Sequence, residues 1–320
     1  MSVRSRLTML RAALGALVCA VAASTLWGLS LAVGSVGFTE PGATRAVLGE
    51  PLPELAVGAV PIAALQAPAA LQAAVTPQAP SGALDPLREW VDRTAGLVPV
   101  APPQLAEFAT AEINTQADTP GCQLSWITLA AVSRAAPDLP PTEAARTLCA
   151  DGRTTSDEAG WTAAVRSIQD DTAFLHRVLA VATSYADAMR TGIPISPAAG
   201  RAIDFAVAQI GLPYVWGGNG PETGDAGFDC SGLTTAAYAT AGVILPRTAH
   251  TQYFATERVA PEGLLPGDLV FYGNPATKVH HVGMYLGNGL MVNAPTFGMP
   301  VQVATVAAGG NDLSGVGRPA

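Results

Sequence analysis

Three short segments constrain this chain more than anything else in it. Phe228-Asp229-Cys230-Ser231-Gly232-Leu233 is followed by His280-His281-Val282-Gly283-Met284-Tyr285 and then by Met291-Val292-Asn293-Ala294-Pro295. In that order they supply a thiol, an imidazole and an amide able to accept a hydrogen bond. A thiol attacks an amide only as the thiolate, so a catalytic cysteine needs its proton drawn off, usually by a helix N-terminus and a neighbouring histidine. Cys230 stands between a Gly-rich stretch, Gly217 to Gly227, and an Ala-rich run, Leu233 to Ala241, that reads as a helix. That places Cys230 in the first helical turn, where the dipole favours negative charge. Leu269 to Tyr272 has strand composition, and His281 to Leu286 alternates up to Gly287-Asn288-Gly289, a hairpin turn signal. His281 and Asn293 are therefore expected on paired strands, with His280 and His281 on opposite faces.

Other chemistries fit these residues less well. A lone cysteine opening an apolar helix is, by composition alone, more often buried structure than nucleophile; the two later segments reverse that reading. No Cys-x-x-Cys or His-x-x-x-His spacing marks a metal site. The Gly217–Gly227 stretch has neither the Gly-Lys-Ser/Thr ending of a phosphate loop nor dinucleotide-binding spacing, so no cofactor is expected and the stretch reads as a loop shaping a substrate groove. His250, in Arg247-Thr248-Ala249-His250, reads as a surface or groove residue.

Six elements stand in one order: Tyr214-Val215-Trp216-Gly217-Gly218, Phe228 to Leu233, Leu245-Pro246-Arg247-Thr248, Leu265-Pro266-Gly267-Asp268-Leu269-Val270-Phe271, His281 to Gly289, and Asn293-Ala294-Pro295. Together, from about residue 197 to the C-terminus, they resemble the NlpC-type cell-wall cysteine endopeptidases, a bacterial branch of the papain-like fold. The resemblance implies an α+β domain over 197–320 with helices packed on an antiparallel sheet. It also implies Cys230 as nucleophile, His281 as base and Asn293 as the group orienting the base, where the family more often has histidine. Asp229 and Ser231 are implied to bind an amino group of the substrate, with Tyr214 and Arg247 as weaker carry-overs. The implied reaction is cleavage of peptidoglycan stem peptides, between D-glutamate and diaminopimelate, without a cofactor.

The N-terminal third bears on where such chemistry would act. Arg4, Arg6 and Arg11 precede a stretch from Ala12 to Phe38 without a charged residue, long enough as a helix to span a bilayer core. Residues 1–38 therefore read as a cytoplasmic tip and uncleaved signal anchor, with a cleaved signal peptide as the alternative. The expected protein is single-pass, its catalytic part extracytoplasmic. Residues 39–103, rich in Ala and Pro, read as a linker, with a short helix from about Asp85 to Thr94.

Residues 104–193 change to helical periodicity, with helices expected over Leu105–Asn114, Gln123–Ala135, Thr142–Cys149 and Asp171–Arg190. Cys122, then Leu124 to Ala131, Ala145 to Gly152 and Phe174 to Tyr185 faintly resemble the lysozyme-like lytic transglycosylases of actinobacteria. That family's catalytic glutamate falls on Ala136, and its Gly-Pro-Met-Gln-Phe substrate segment is missing. Glycan cleavage needs a carboxylic acid to protonate the leaving oxygen. The segment is thus expected to be a non-catalytic relic, the alternative being an unrelated all-α bundle.

With Cys19 in the apolar segment and Cys230 in the site, Cys122 and Cys149 remain as a pair suited to a disulfide in an exported protein. The net charge of −8 argues against nucleic acid as a partner. The expected partners are peptidoglycan and, through the N-terminal helix, the membrane. A second class of function stays open: an envelope scaffold with a masked or silent peptidase site, within a secretion or conjugation machine.

Overall fold

The computed structural model describes residues 86–320. The expected membrane segment and residues 39–85 of the expected linker lie outside the described residues. Among the described residues, no helix is long and apolar enough to cross a membrane.

Residues 86–103, read from composition as linker, are packed. Helix α1 (Pro86–Ala95) buries Trp90, Val91 and Thr94, and Trp90 meets Trp126 edge to face at 5.4 Å. Val98 and Val100, beyond the helix, are buried too. The reason is local: Leu87, Trp90 and Val91 fall on one face, and such a stripe is stable only when covered.

Helix α2 (Pro102–Asp118) opens on two prolines, which lack N–H groups that the first turn leaves unpaired anyway. Helix α3 (Trp126–Ala135) is capped by Ser125, whose hydroxyl accepts the Ile127 N–H at 3.2 Å. Helix α4 (Pro141–Leu148) follows. Helix α5 (Glu158–Ile168) is absent from the sequence expectation. Its signals are an Asp157 cap and buried Trp161, Ala164 and Val165 at helical spacing; Gly160, a poor helix former, obscures them. Gly160 is there because a Cβ would come within 2.4 Å of the Thr154 carbonyl oxygen. Helix α6 (Thr172–Thr191) runs from an Asp171 cap to Gly192, left-handed at φ 68°. The disulfide expected from the cysteine inventory is present, joining Cys122 to Cys149 with the Cα atoms 5.5 Å apart.

The C-terminal part has the α+β arrangement expected for it. Helices α7 (Pro197–Ala208), α8 (Cys230–Ala239) and α9 (Ala249–Ala255) accompany six strands: β1 (Glu257–Val259), β2 (Leu269–Asn274), β3 (Lys278–Gly287), β4 (Leu290–Asn293), β5 (Gln302–Thr305) and β6 (Leu313–Arg318). They form one sheet in the order β1-β6-β2-β3-β4-β5, with every pairing antiparallel. The β3–β4 hairpin turns on Asn288 and Gly289, both at positive φ (47° and 74°), as the Asn-Gly signal predicts.

β2, β3 and β4 are buried almost throughout because both of their faces are covered. On one side Leu269, Phe271, Val282, Met284 and Val292 join a hydrophobic cluster continuous with Trp90, Trp126 and Phe174 of the helical segment. On the other, Val270, Tyr272, Tyr285 and Met291 form a smaller cluster with Leu264, Ala304 and Val306. Helix α6 packs on β3, β4 and β5. Its buried His176 accepts the Val303 N–H at 3.3 Å, satisfying a donor of the terminal strand β5. The helical segment thus buttresses the strands that carry His281 and Asn293.

Candidate active site

The site is framed by one carboxylate. Asp229 is the N-cap of α8: its Oδ1 accepts from Gly232 N at 2.6 Å, Ser231 Oγ at 3.2 Å and Arg247 Nη1 at 2.9 Å. Its Oδ2 accepts from Gly217 N at 3.0 Å and Arg247 Nη2 at 2.8 Å. Arg247 also donates to Ser231 Oγ at 3.0 Å and to the Gly218 carbonyl at 3.2 Å. Gly232 must be glycine, since a Cβ would sit 2.1 Å from the Gly218 oxygen. Asp229, Ser231 and Arg247, expected as substrate binders, are therefore occupied with one another. They tie the Gly-rich loop to the start of α8, and so hold Cys230.

Cys230 is the first residue of α8 and is 8% exposed. Its Sγ lies 4.0 Å from the His280 carbonyl oxygen, with the Val282 and Ser231 N–H groups directed at the sulfur. The thiol thus rests on the β3 backbone on either side of His281. The sequence expectation of an acidified thiol is corrected here. Burial pushes the Cys230 thiol above its usual value, the Asp229 charge adds to this, and the N–H groups offset only part.

His281 reaches the site through a β-bulge. β2 and β3 are in register from Leu269↔Met284 to Tyr272↔His281, and then Gly273 pairs with Val279. His280 is the extra residue, and its insertion re-aims the strand. The two adjacent histidines part as expected. His280 turns outward and bonds Asp312 at 2.8 Å, while His281 is 8% exposed. Burial lowers the His281 pKa to about 4; the neighbouring His280 acts in the same direction and Asp312 opposes. The imidazole is therefore neutral at physiological pH, a proton acceptor beside a protonated thiol. His250 points its Nδ1 at the Val279 N–H, 3.1 Å away, and packs edge-on to Phe254 at 5.1 Å.

Asn293 ends β4. The β3–β4 register, Met284↔Val292, continues to put Gly283 opposite it, with His281 two residues along the same strand. A Cβ on Gly283 would meet the Asn293 Cβ at 3.4 Å. Asn293 is 2% exposed, yet its Oδ1 accepts no hydrogen bond among the described residues. The bond expected from His281 to this oxygen is not made. Tyr214 lies at the edge of the site, edge-on to Phe297 at 5.2 Å. Its phenol is pushed above the usual value by burial and then by the charges of Cys230 and Asp229.

Tyr272, which faces the His281 ring, escaped sequence analysis because nothing distinguishes it from an ordinary strand residue. Among the described residues, no cluster of three or more His, Cys, Asp or Glu side chains is placed to hold a metal ion. What remains is a thiol at a helix N-terminus, a neutral imidazole and a buried amide in a largely dry setting, an arrangement suited to acyl transfer through sulfur.

Residues 211–311 match the model of the NlpC/P60 family. The C-terminal part of the chain is an NlpC/P60 domain. The probable endopeptidase p60 of Listeria innocua is 44% identical over 110 residues, which are 34% of this chain and 22% of that protein. The bifunctional muramidase/DL-endopeptidase CwlT of Bacillus subtilis is 47% identical over 96 residues, 29% of this chain and 28% of that protein. The chain thus spans about a quarter of the length of the curated relatives it matches. The solved structure of the peptidoglycan hydrolase RipB from Mycobacterium tuberculosis is 37% identical, covering 38% of this chain and 64% of that one, with a TM-score of 0.34.

Proposed function

We propose that this protein hydrolyses peptide bonds in peptidoglycan stem peptides, with Cys230 as nucleophile, His281 as general base and then acid, and Asn293 as the group that orients His281 once substrate is bound, its Oδ1 being unpaired among the described residues without substrate. The observation that carries this reading is the seating of the Cys230 thiol at the start of α8, against the β3 backbone on both sides of His281.

Because the thiol is raised and the imidazole lowered, proton transfer accompanies attack instead of preceding it. Sγ bonds to the scissile carbonyl carbon as its proton passes to His281, and the carbonyl π electrons move onto oxygen. The Cys230 N–H, at the head of α8, is a donor available for that oxyanion. Collapse of the tetrahedral species expels the amine, which takes the proton from the His281 imidazolium. A water molecule deprotonated by His281 then cleaves the thioester and restores the thiol.

The D-glutamyl–diaminopimelate bond is proposed from the resemblance of the sequence segments to the NlpC-type endopeptidases alone. The disulfide supports an exported protein, as the apolar segment 12–38 does for membrane anchoring. The helical segment is read as a non-catalytic lysozyme-like relic, since position 136, the C-cap of α3, is alanine. Near-complete burial of Cys230 and His281 is the observation that favours the alternative, a masked site.

One experiment separates the two readings. Residues 39–320 incubated with purified peptidoglycan should release amide-cleaved muropeptides, identified by mass spectrometry, and Cys230→Ala should abolish that release without changing thermal unfolding. No release by the folded native protein, or equal release by the variant, overturns the proposal.

A further inference from the structure

Tyr272 occupies an unusual position in the sheet. It stands directly opposite His281 in the β2–β3 register, and the pairing slips by one residue beside it on both flanks. On β3 the extra residue is His280. On β6, Phe271 pairs with Gly315 and Tyr272 with Leu313, so Ser314 is the extra residue there. A bulge bends the strand that carries the extra residue, so β3 and β6 both bend beside Tyr272, and on β3 the side chain re-aimed is that of His281, directly opposite it.

The Tyr272 ring is immobilised. Tyr272 is fully buried, and its hydroxyl donates to the Val306 carbonyl at 2.6 Å, with Met291 Sδ at 3.4 Å. Gly309 closes the pocket behind it: a Cβ there would fall 2.2 Å from the ring carbon that bears the hydroxyl. The front of the ring meets the His281 imidazole, centroids 5.6 Å apart and planes at 37°. Burial drives the phenol far above its usual range, so Tyr272 remains a neutral donor to Val306 and exchanges no proton. Since Asn293 Oδ1 accepts nothing among the described residues, the imidazole of the substrate-free protein is without the bond to Asn293 that the sequence leads one to expect. Without that bond, packing against Tyr272 is the observed contact that fixes the ring.

We propose that Tyr272 is a positioning residue: its buried, hydroxyl-anchored ring, opposite the bulge of β3, sets the plane of the His281 imidazole. The inference rests on the reading of His281 as the base, and its test keeps the two apart. Tyr272→Leu removes the ring, whereas Tyr272→Phe keeps it and loses only the anchor. With peptidoglycan as substrate, Tyr272→Leu should lower kcat about 100-fold with KM within about 3-fold, and Tyr272→Phe should recover most of the loss, as misplacement of a base by about 1 Å predicts.

The second readout is independent of turnover. In uniformly labelled protein, the His281 ring resonances should lose the ring-current shift of Tyr272 in the Leu variant, and their titration midpoint should move from about 4 toward the ordinary histidine range. In the Phe variant both should stay near native. If Tyr272→Leu fails to fold, Gly309→Ala presses on the same ring from behind and should displace the His281 resonances likewise. A folded Leu variant with native kcat and native His281 titration overturns the proposal. Loss of kcat with an unmoved His281 titration also overturns it, because that marks a structural role alone. If instead Cys230→Ala stays active, the reading of the site fails, while the resonances still report whether Tyr272 holds the ring.

Discussion

Arg247 closes a two-pronged bridge onto Asp229, Nη1 to Oδ1 at 2.9 Å and Nη2 to Oδ2 at 2.8 Å, and this fork fixes the residue immediately before Cys230. Planar, bidentate recognition of a carboxylate is something lysine cannot reproduce. Arg247→Lys should therefore cost nearly as much as Arg247→Ala, about 1–3 kcal/mol in denaturant unfolding. Activity should fall in both through displacement of Cys230. Full stability in the Lys variant would show that charge alone suffices.

The helical segment should make stability depend on pH through Glu112. Its buried carboxyl accepts the Trp126 N–H at 2.6 Å, but burial outweighs that bond and raises its pKa to about 7. With a folded pKa above the unfolded one, the contribution is complete below about 4.5 and is lost as pH rises to about 7. The loss amounts to about 3 kcal/mol. Glu112→Gln should remove that slope and be more stable than the native protein at pH 8. Unfolding by urea across pH 4.5 to 8 measures it. His176, lowered to about 4 by burial, works in the opposite sense, losing stability as pH falls from about 6.5 to about 4.

Activity should persist in mild acid. His281 must be neutral to accept the thiol proton, and it remains so down to about pH 4. The acid limb of kcat/KM should lie near that value, not near 6.5. Asn293→Ala should lower turnover by about 10- to 1000-fold, about 1.4 to 4 kcal/mol, and Asn293→His should retain more activity than Ala. An Asn293→Ala enzyme as fast as native would remove Asn293 from the site.

Thiol chemistry should distinguish the cysteines. Among the described residues Cys230 is the one free thiol, so alkylation of the folded protein should label it, slowly because it is buried, and spare Cys122 and Cys149 until reductant is added. Reduction opens a link across 27 residues and should cost about 3–4 kcal/mol of stability. Comparing urea unfolding with and without reductant checks the value.

The place of Cys230 at the head of a helix was legible in the sequence because its determinants are local. Asp229 followed by Cys230-Ser231-Gly232 is a cap followed by a first turn, and Asn288-Gly289 is a turn whose two positive φ angles those residues tolerate. From these the order of helix, hairpin and site residues follows, as does the pairing of Cys122 with Cys149 by elimination. Legibility stopped where partners come from far along the chain. Nothing near Asp229 announces that Arg247, 18 residues on, will bond both oxygens of its carboxylate. The slip that inserts His280 arises in the pairing of β3 with β2, and no strand encodes its own register. Whether residues 86–103 stay extended was decided by Trp126 offering Trp90 a surface, not by their prolines. The protonation of the site was decided the same way: a helix N-terminus favours a thiolate, but the packing of α8 against β3 buries the thiol, and desolvation of the charged form outweighs the hydrogen bonds from Val282 and Ser231. Composition and spacing chose the chemical groups; burial, which exists only once the chain has folded, chose their charge and orientation.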